Sequence, residues 1–395
     1  MKESSGKVRI AVALEYPLLQ QGGTEVLVRE LVRGLAERFE IVLVSGDQGR
    51  EVLGDFFAPL IVTHLSWNKA TASRQTAQKL AHALVDEGVA LAHFHSGGVY
   101  EWQSHKAWQS PIFHLTGAGV PCLVTSHLVQ PLLEGFSRPD RALWQKALLL
   151  PKAWMNKALL MSRVRTEFLV SKHDQARLRR YFPPFAGKLQ QMYHSKLARD
   201  NVGMPPDRRK KTVLCLGTLC QRKAQTILVG AFASAAKRHP DWALHMVGRC
   251  ETPDYLEQVK EAIASSDISD RIQISPPQND PGPLLATASI FAMPSLLEGL
   301  GLSLQEALYY ECACIGSAVG GIPELIENEA TGLLVPPGDE SALAAALDRL
   351  MSEPELRKRL TRCARQSIIE KGMLADVMVE KHIRHYEAVL AGEEV

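Results

Sequence analysis

The sequence predicts an α/β protein with two doubly wound domains, each built on a parallel sheet. Three observations support this. The 395 residues suit two domains of roughly 180–200 residues. Short apolar runs alternate with amphipathic helical patterns, which is typical of βαβ units. The alternation also occurs in two series, separated by proline-containing and charged segments between residues 181 and 211.

The first series begins with a strand–helix–strand unit. Val8–Leu14 is a continuous apolar run, as expected of a buried parallel strand. A loop with Gly22 and Gly23 follows, and Thr24 occupies a plausible helix N-cap position. Apolar residues then recur at every fourth position before the next strand at Ile41–Val44. Further strands are predicted at 89–94, 122–125 and 168–170.

The second series has the same layout without a detectable sequence repeat. Its strands are predicted at 212–216, 243–247, 271–274, 290–293, 313–315 and 333–335. The domain change lies near residues 186–211. We therefore predict an N-terminal domain at 1–190, a C-terminal domain at 191–375 and a last helix at 376–395 that returns to the N-terminal domain.

Composition and motifs argue against several classes of protein and of site. Hydrophobic residues make up 46% and the net charge is +2, so a large core is expected and nucleic acid is not an expected partner. The seven cysteines are expected to be reduced core residues. The N-terminus lacks a signal-peptide core, and no apolar stretch is long enough to span a membrane. These features predict a cytoplasmic protein. We expect no metal site, because Cys312 and Cys314 have poor zinc geometry.

The most informative segment runs from Met293 to Leu308. A strand, a glycine-bearing loop and a helix starting near Ser303 follow one another there. Glycines let the backbone approach a ligand, and a helix start favours a phosphate group. Glu298 and Glu306 would accept hydrogen bonds from sugar hydroxyls on either side of a diphosphate. Alternatively, Ser303 and Glu306 form a capping box, and Glu298 is a solvated surface acid.

These residues resemble a known family. PSLLEGLGLSLQEAL, SAVGGIPELI and TGLLVPPGD, between residues 294 and 339, look like the nucleotide-binding domain of the retaining glycosyltransferase family 4, also called group 1, of GT-B fold. The resemblance is dense over 211–340 and sparse elsewhere. It implies two Rossmann-like doubly wound domains facing across a cleft, and a glycosyltransferase of hexosyltransferase type, EC 2.4.

The resemblance also assigns the donor site. Glu298 would contact hydroxyls of the donor sugar, and Glu306 the ribose. The donor-binding loop and helix start would be Gly299, Leu300, Gly301, Leu302 and Ser303.

The segment after the strand at 212–216 would supply basic groups to the diphosphate. Lys223 occupies the place of the family's lysine, whereas Thr218 replaces the usual arginine. Arg222 could take over that role, since a guanidinium binds phosphate bidentately. Alternatively, Arg222 and Lys223 are solvated loop charges. With these groups on the leaving phosphate, no metal or other cofactor is expected.

In the first domain, Gly22 and Gly23 look like the family's GG loop, although two glycines also fit a simple tight turn. His127 resembles the histidine that approaches the donor sugar, and we expect it to be catalytic with Glu298 and Lys223. Alternatively, His127 has only a structural role. His93 and His95 lie at another strand end, where they would line the acceptor side or be satisfied by backbone.

Three further departures from the family pattern affect loops around the site. Glu311 and Ala313 stand where the family usually has glycine and proline, and His194-Ser195 replaces Asn-Gly. We expect these changes to alter specificity more than activity.

The predicted function is transfer of a sugar, with retention, from a nucleotide diphosphate sugar to a glycan or lipid-linked acceptor in polysaccharide or lipopolysaccharide biosynthesis. Residues 138–188 carry 12 Lys/Arg against 3 Asp/Glu, mixed with tryptophan and aliphatic residues. Such a face can contact an anionic membrane at its inner surface. An amphipathic helix packed on the sheet is the alternative.

Two other functions remain open at this point. One is a non-catalytic GT-B protein that binds a sugar nucleotide. The other is a sugar-nucleotide epimerase, which needs acid–base groups at the sugar ring, and only His127 is a candidate for that role.

Overall fold

The computed structural model describes residues 6–14, 17, 22–46, 54–67, 71–96, 107–129, 143–198, 204–205 and 208–394. The chain divides into two compact units. The N-terminal unit comprises residues 1–20, 24–196 and 375–395, and the C-terminal unit comprises 21–23 and 197–374. The predicted domain ends were 190 and 375; that these units act as separate domains stays a prediction.

The N-terminal unit contains a sheet of seven parallel strands. Their order is β3-β2-β1-β4-β5-β6-β7, so the chain first winds to one edge and then to the other. The strands are β1 (Arg9–Leu14), β2 (Glu40–Ser45), β3 (Ile61–Ser66), β4 (Leu91–Ser96), β5 (Cys122–Ser126), β6 (Thr166–Leu169) and β7 (Leu189–Gln191).

Helices accompany this sheet. The apolar face of the first one, with Leu27, Leu31 and Leu35, is fully buried, as the fourfold spacing predicts. This helix begins at Gly23, so Thr24 lies inside it and the predicted N-cap is wrong. The helices are α1 (Gly23–Leu35), α2 (Gly54–Phe57), α3 (Arg74–Asp86), α4 (Pro111–Gly117), α5 (Leu143–Arg163) and α6 (Lys172–Tyr181).

The C-terminal unit contains a six-stranded parallel sheet in the order β10-β9-β8-β11-β12-β13. Its strands are β8 (Lys210–Leu216), β9 (Ala243–Val247), β10 (Ile272–Ser275), β11 (Ala288–Met293), β12 (Ala313–Ser317) and β13 (Leu333–Val335). Its helices are α7 (Gln225–Ala236), α8 (Pro253–Ala264), α9 (Gly282–Thr287), α10 (Leu302–Tyr309), α11 (Ile322–Leu325), α12 (Glu340–Ser352) and α13 (Pro354–Glu370).

Both sheets follow the same doubly wound order, which confirms the predicted fold class. The sequence patterns missed β3 and β7, and both lie at the edges of the first sheet. β3 is mostly half-buried and contains Thr63 and His64, while β7 has three residues. Edge strands bury less apolar surface, so their apolar runs in the sequence are shorter and harder to detect.

The last helix, α14 (Ala375–Leu390), belongs to the N-terminal unit. The Arg38 guanidinium pairs with the Glu387 carboxylate at 2.8 Å, close to α1. The Tyr386 side chain is fully buried, and its ring lies 6.0 Å from that of Phe39. The polypeptide thus returns to its first unit after completing the second.

A buried arginine stabilises the second unit. The Arg209 guanidinium donates to the carbonyl oxygens of Met204 at 2.9 Å, Leu285 at 3.0 Å and Ala288 at 2.8 Å, and also to that of Tyr310. These bonds tie the start of β11 to the end of α10. The loop that bears Glu298 runs between those two elements.

Glu311 has a left-handed backbone conformation, with φ of +60°. The Cys312 N–H donates to the Ala307 carbonyl at 2.9 Å and the Glu311 N–H donates to the Leu308 carbonyl at 3.0 Å. This pair of bonds is the Schellman motif, which usually ends in glycine because a Cβ is strained there. The departure noted from the sequence therefore has a conformational cost.

We expect Glu311→Gly to raise the free energy of unfolding by about 1 kcal/mol, because glycine adopts positive φ without strain. Urea denaturation measures this change. Glu311→Ala is the matched control, since it removes the carboxylate and keeps the Cβ. Equal stabilisation by both variants would show that the side chain, and not the backbone, carries the strain.

Candidate functional site

The candidate donor site lies at the carboxyl ends of β8 and β11. These strands are neighbours at the point where the strand order of the second sheet reverses. In doubly wound sheets, ligands bind outside the strand ends at such a point. The segment after β8 carries Lys223, and the segment after β11 carries Glu298.

The basic segment is a short 3₁₀ turn, Gln221–Lys223. The Leu296 N–H donates to the Arg222 carbonyl at 2.8 Å, which joins this turn to the loop after β11. The Arg222 guanidinium donates to the Leu297 carbonyl at 3.0 Å. Backbone contacts therefore bring two segments together that lie about 75 residues apart in the sequence.

The Glu298 carboxylate collects three donors on its Oε2 atom. The Lys223 Nζ lies 2.5 Å away, and Arg222 Nη1 and Ser295 Oγ each lie 3.4 Å away. The side chains of Lys223 and Glu298 are 14% and 13% exposed, so neither is a solvated loop charge. Arg222 is 35% exposed and reaches the same carboxylate as Lys223.

The charge of Glu298 follows from these neighbours. Burial by itself raises the pKa of the carboxyl, but Lys223 and Arg222 outweigh it, and the pKa lies below its ordinary value. The carboxylate is therefore ionised at neutral pH and accepts hydrogen bonds from hydroxyl groups. An anionic ligand would meet the amino and guanidinium groups beside it.

Nothing in the sequence indicated a role for Gly320, which lies in the motif SAVGGIPELI. Gly320 has φ of +55°, and a Cβ there would lie 1.7 Å from the Glu298 carbonyl oxygen. The Gly321 N–H donates to the Gly299 carbonyl at 2.9 Å. The loop after β12 therefore packs directly on the backbone of Glu298, and only glycine permits this approach.

The start of α10 differs from the sequence interpretation in two ways. Gly301, with φ of +98°, is the N-cap, and the Ser303 hydroxyl donates to the Leu216 carbonyl at 2.9 Å. The capping-box alternative is therefore wrong. Glu306 is the fifth helical residue, not a first-turn residue, and is 7% exposed.

The remaining residues of the predicted donor loop lie around the same helix start. Leu300 is buried, and Leu302 is the half-buried first residue of α10. Leu304 and Gln305 donate the first hydrogen bonds of the helix, both to the Gly301 carbonyl at 3.0 Å. The N–H groups of Leu302 and Ser303 precede them, and N–H groups at a helix start favour an anion. Gly22 immediately precedes α1, and Gly23 is its first, exposed residue.

The N-terminal unit holds a cluster of five histidines, which we call the histidine cluster: His93, His95, His127, His194 and His382. Their rings form a closed sequence of contacts in that order, with centroids between 4.2 and 5.6 Å apart. Sequence reasoning considered four of them separately and missed His382. The feature of the sequence that could have indicated His382 is its position on the apolar face of the predicted last helix.

Side-chain hydrogen bonds order the histidine cluster. His93 Nδ1 lies 2.5 Å from the Tyr386 hydroxyl, and its Nε2 lies 2.8 Å from the Thr125 hydroxyl. His95 Nδ1 lies 3.2 Å from His127 Nε2. Both His93 nitrogens are thus engaged by side chains, not by the backbone groups that the sequence suggested.

Burial keeps the histidine cluster neutral. It is the main cause that lowers the pKa of each member, and the other histidines lower it further. The pKa falls to about 3 for His127 and to about 4 for His382. At neutral pH, His127 is therefore an uncharged imidazole.

Within the described ranges, no group of three or more histidine, cysteine or acidic side chains is arranged to hold a metal ion. All seven cysteines are free thiols, and Cys363 is the exposed one. That transfer needs no metal stays a prediction.

Comparisons with known proteins agree with this geometry. The family model for glycosyl transferases group 1 matches residues 202–367. A glycosyltransferase of Haemophilus influenzae, itself uncharacterized, is 28% identical over 199 residues, which cover 49% of this chain and 54% of that protein. D-inositol 3-phosphate glycosyltransferase of Salinispora arenicola is 25% identical over 300 residues, which cover 70% of this chain and 63% of that protein.

Solved structures extend the comparison to the fold. Anabaena HepE in complex with UDP aligns with a TM-score of 0.76 at 14% identity, covering 97% of this chain and 100% of that one. The chain thus has the GT-B fold. Residues 202–367 match the group 1 glycosyl transferases, which confirms the predicted resemblance over that part of the chain.

We expect acid to destabilise the N-terminal unit through the histidine cluster. Unfolded histidines take up protons below pH about 6.5, whereas the buried ones stay neutral down to about pH 3–4. The free energy of unfolding should fall by up to about 1.4 kcal/mol per pH unit for each buried histidine across that window.

Urea denaturation between pH 7.5 and 5 measures this slope. His382→Leu should reduce it, because one buried neutral imidazole is removed. A stability that does not change with pH over this range, or a slope unaffected by His382→Leu, would contradict the assignment.

Proposed function

We propose that the protein is a retaining glycosyltransferase that moves a sugar from a nucleotide diphosphate sugar to a glycan or lipid-linked acceptor. The observation that carries the proposal is the half-buried Lys223–Glu298 ion pair beside the start of α10. It lies at the strand-order reversal of the unit that matches the group 1 glycosyl transferases. This arrangement offers both cationic and anionic groups at a place where a diphosphate sugar needs both.

The cationic groups serve the departing diphosphate. Cleavage of the anomeric C–O bond leaves an oxocarbenium-like sugar and puts negative charge on the leaving phosphate. Lys223, Arg222 and the free N–H groups at the start of α10 stabilise that charge, which is commonly the largest catalytic contribution. The acceptor hydroxyl oxygen bonds to the anomeric carbon on the face that the phosphate leaves, and its proton passes to the leaving phosphate oxygen, so the anomeric configuration is retained.

The acidic groups hold the sugars of the donor. Glu298 is ionised and accepts hydrogen bonds from hydroxyls of the transferred sugar, while Glu306 binds the ribose. Before the donor binds, Lys223 neutralises Glu298. When the diphosphate arrives, Lys223 lies between two anions and orients the sugar relative to its leaving group. Gly22 and Gly23 keep the donor-binding role, and His127 the catalytic role, that the family resemblance implies.

We expect Lys223→Met and Glu298→Gln each to lower kcat by about 100-fold or more, as loss of a preorganised charge at a reacting centre does. Transfer from UDP-, GDP-, ADP- and dTDP-sugars, followed by product analysis, measures this. Lys237→Met is the matched control, because Lys237 is exposed at the end of α7. Wild-type rates in both site variants would refute the assignment.

The same assay separates the alternatives. A non-catalytic binding protein would be stabilised by a sugar nucleotide and would form no product. An epimerase would convert the donor without any acceptor. Neither alternative has a specific feature of the described residues in its favour.

We further propose that the acceptor is reached at an anionic membrane on its cytoplasmic side. The helix α5 exposes Trp144 by 65% and Met155 by 64%, together with Leu159 and the basic residues Lys152 and Arg163. Apolar side chains flanked by cations suit the headgroup region.

The other tryptophan of this helix is not part of this surface. Trp154 stacks on Phe182 and is part of the core, whereas residues 138–142 lie outside the described residues. No helix in the described part of the chain has the length and apolarity to cross a bilayer.

We expect the protein to sediment with vesicles of anionic phospholipid at low salt and to be released at high salt, because surface charges are screened. Met155→Ser should weaken this binding. Met204→Ser is the matched control, since Met204 is 43% exposed in the C-terminal unit. Protein that stays in the supernatant at low salt, or equal binding by both variants, would exclude this surface.

A further inference from the structure

We propose that His95 is a positioning residue for His127 and fixes its tautomer, so that His127 offers a neutral Nδ1–H donor to the substrate. The contact that carries this inference is the 3.2 Å separation between His95 Nδ1 and His127 Nε2. The inference rests on the proposed function for the part that His127 plays in transfer. The tautomer itself is independent of activity.

The backbone around His127 is held firmly. Its N–H donates to the Ser96 carbonyl at 3.0 Å. The preceding residue, Ser126, donates to the Glu167 carboxylate at 2.7 Å, and Lys157 binds both oxygens of that carboxylate at 2.8 Å. The imidazole of His127 therefore extends from a fixed point at the carboxyl end of β5.

The two nitrogens of His127 have different surroundings. Nε2 contacts His95, which is completely buried. Nδ1 makes no hydrogen bond to any residue that the structure describes, and the residue is half-buried. Nδ1 is thus the ring atom left for a ligand.

One proton must lie between His95 Nδ1 and His127 Nε2, and two arrangements are available. If His127 donates, His95 carries its own proton on Nε2, a buried atom without a hydrogen-bond partner among the described residues. If His95 donates, that same Nε2 is only an unfilled acceptor. Because an orphaned buried N–H is rarer and more costly than an orphaned acceptor, His95 donates.

Charged forms do not compete with this arrangement. Burial lowers the pKa of both imidazoles, to about 3 for His127. The nearby carboxylate, Glu167, is neutralised by Lys157. His127 Nε2 then accepts from His95, and its proton resides on Nδ1. A neutral N–H binds a hydroxyl or phosphate oxygen of the ligand and cannot serve as the general base.

The tautomer is measured directly on the full-length protein. Two-bond ¹H–¹⁵N correlations of the ring distinguish a protonated nitrogen from an unprotonated one. We expect wild-type His127 to carry its proton on Nδ1. His95→Asn should preserve this state, because its amide nitrogen takes about the place of Nδ1 and can donate. His95→Asp should instead place a proton on Nε2, because its carboxylate accepts a hydrogen bond and cannot donate one.

Tyr386→Phe is the matched control for packing. It removes the hydrogen bond to His93 at the other side of the histidine cluster and should leave the His127 tautomer unchanged. A wild-type proton on Nε2, or an Nε2 that stays unprotonated in His95→Asp, would overturn the proposal.

Kinetics test the consequence for transfer. We expect His95→Phe to lower kcat by about tenfold, the rate equivalent of one neutral hydrogen bond, with little change in KM. His95→Asn should restore most of that loss. In a His127→Ala background, His95→Phe should have no further effect, because the two residues act through one atom.

Different results would contradict the positioning role of His95 and the proposed function. Additive effects of His95→Phe and His127→Ala would overturn the positioning role. If the wild-type protein forms no product from any donor, the proposed function fails, and the ring spectra still decide whether His95 fixes His127.

Discussion

The half-buried ion pair between Lys223 and Glu298 is the interaction on which the candidate site depends. Each charge would be costly to dehydrate alone, and the pairing offsets that cost. It also connects the segments that follow two neighbouring strands. The rest of the second unit supports this connection, since Gly320 packs on the Glu298 backbone and Arg209 anchors the start of β11 and the end of α10. The fold thus holds opposite charges together at the strand-order reversal of the second sheet.

In the first unit, by contrast, the clustered histidine side chains are kept uncharged. His127 belongs to a cluster in which five imidazoles share one buried volume, so protonation of one is opposed by burial and by its neighbours. The last helix supplies His382 and the Tyr386 hydroxyl to this volume. The chain must therefore complete the second unit before the surroundings of His127 are assembled.

Departures from the family pattern have distinct physical meanings. Glu311 takes a left-handed conformation that glycine would adopt without strain, so this change affects the backbone. The replacement of the usual arginine by Thr218 removes a cation, but Arg222 reaches the carboxylate of Glu298 from the same turn as Lys223. His194, in place of asparagine, joins the histidine cluster. Glu311 therefore costs stability, Arg222 offers a cation in place of the one lost at Thr218, and His194 extends a buried polar network.

The sequence by itself determined the fold class and most strands, because buried parallel strands are continuous apolar runs and amphipathic helices repeat every three to four residues. It missed β3 and β7, which lie at a sheet edge where that pattern is weak. It also indicated Glu298, Lys223 and His127 through motif order, and the loops between them through their glycines. Only the tertiary structure decided that Lys223 binds Glu298, that Ser303 does not cap its helix, and that His382 meets His93 and His194. Those contacts join residues far apart in the chain, and local periodicity carries no information about which distant side chains share a buried volume.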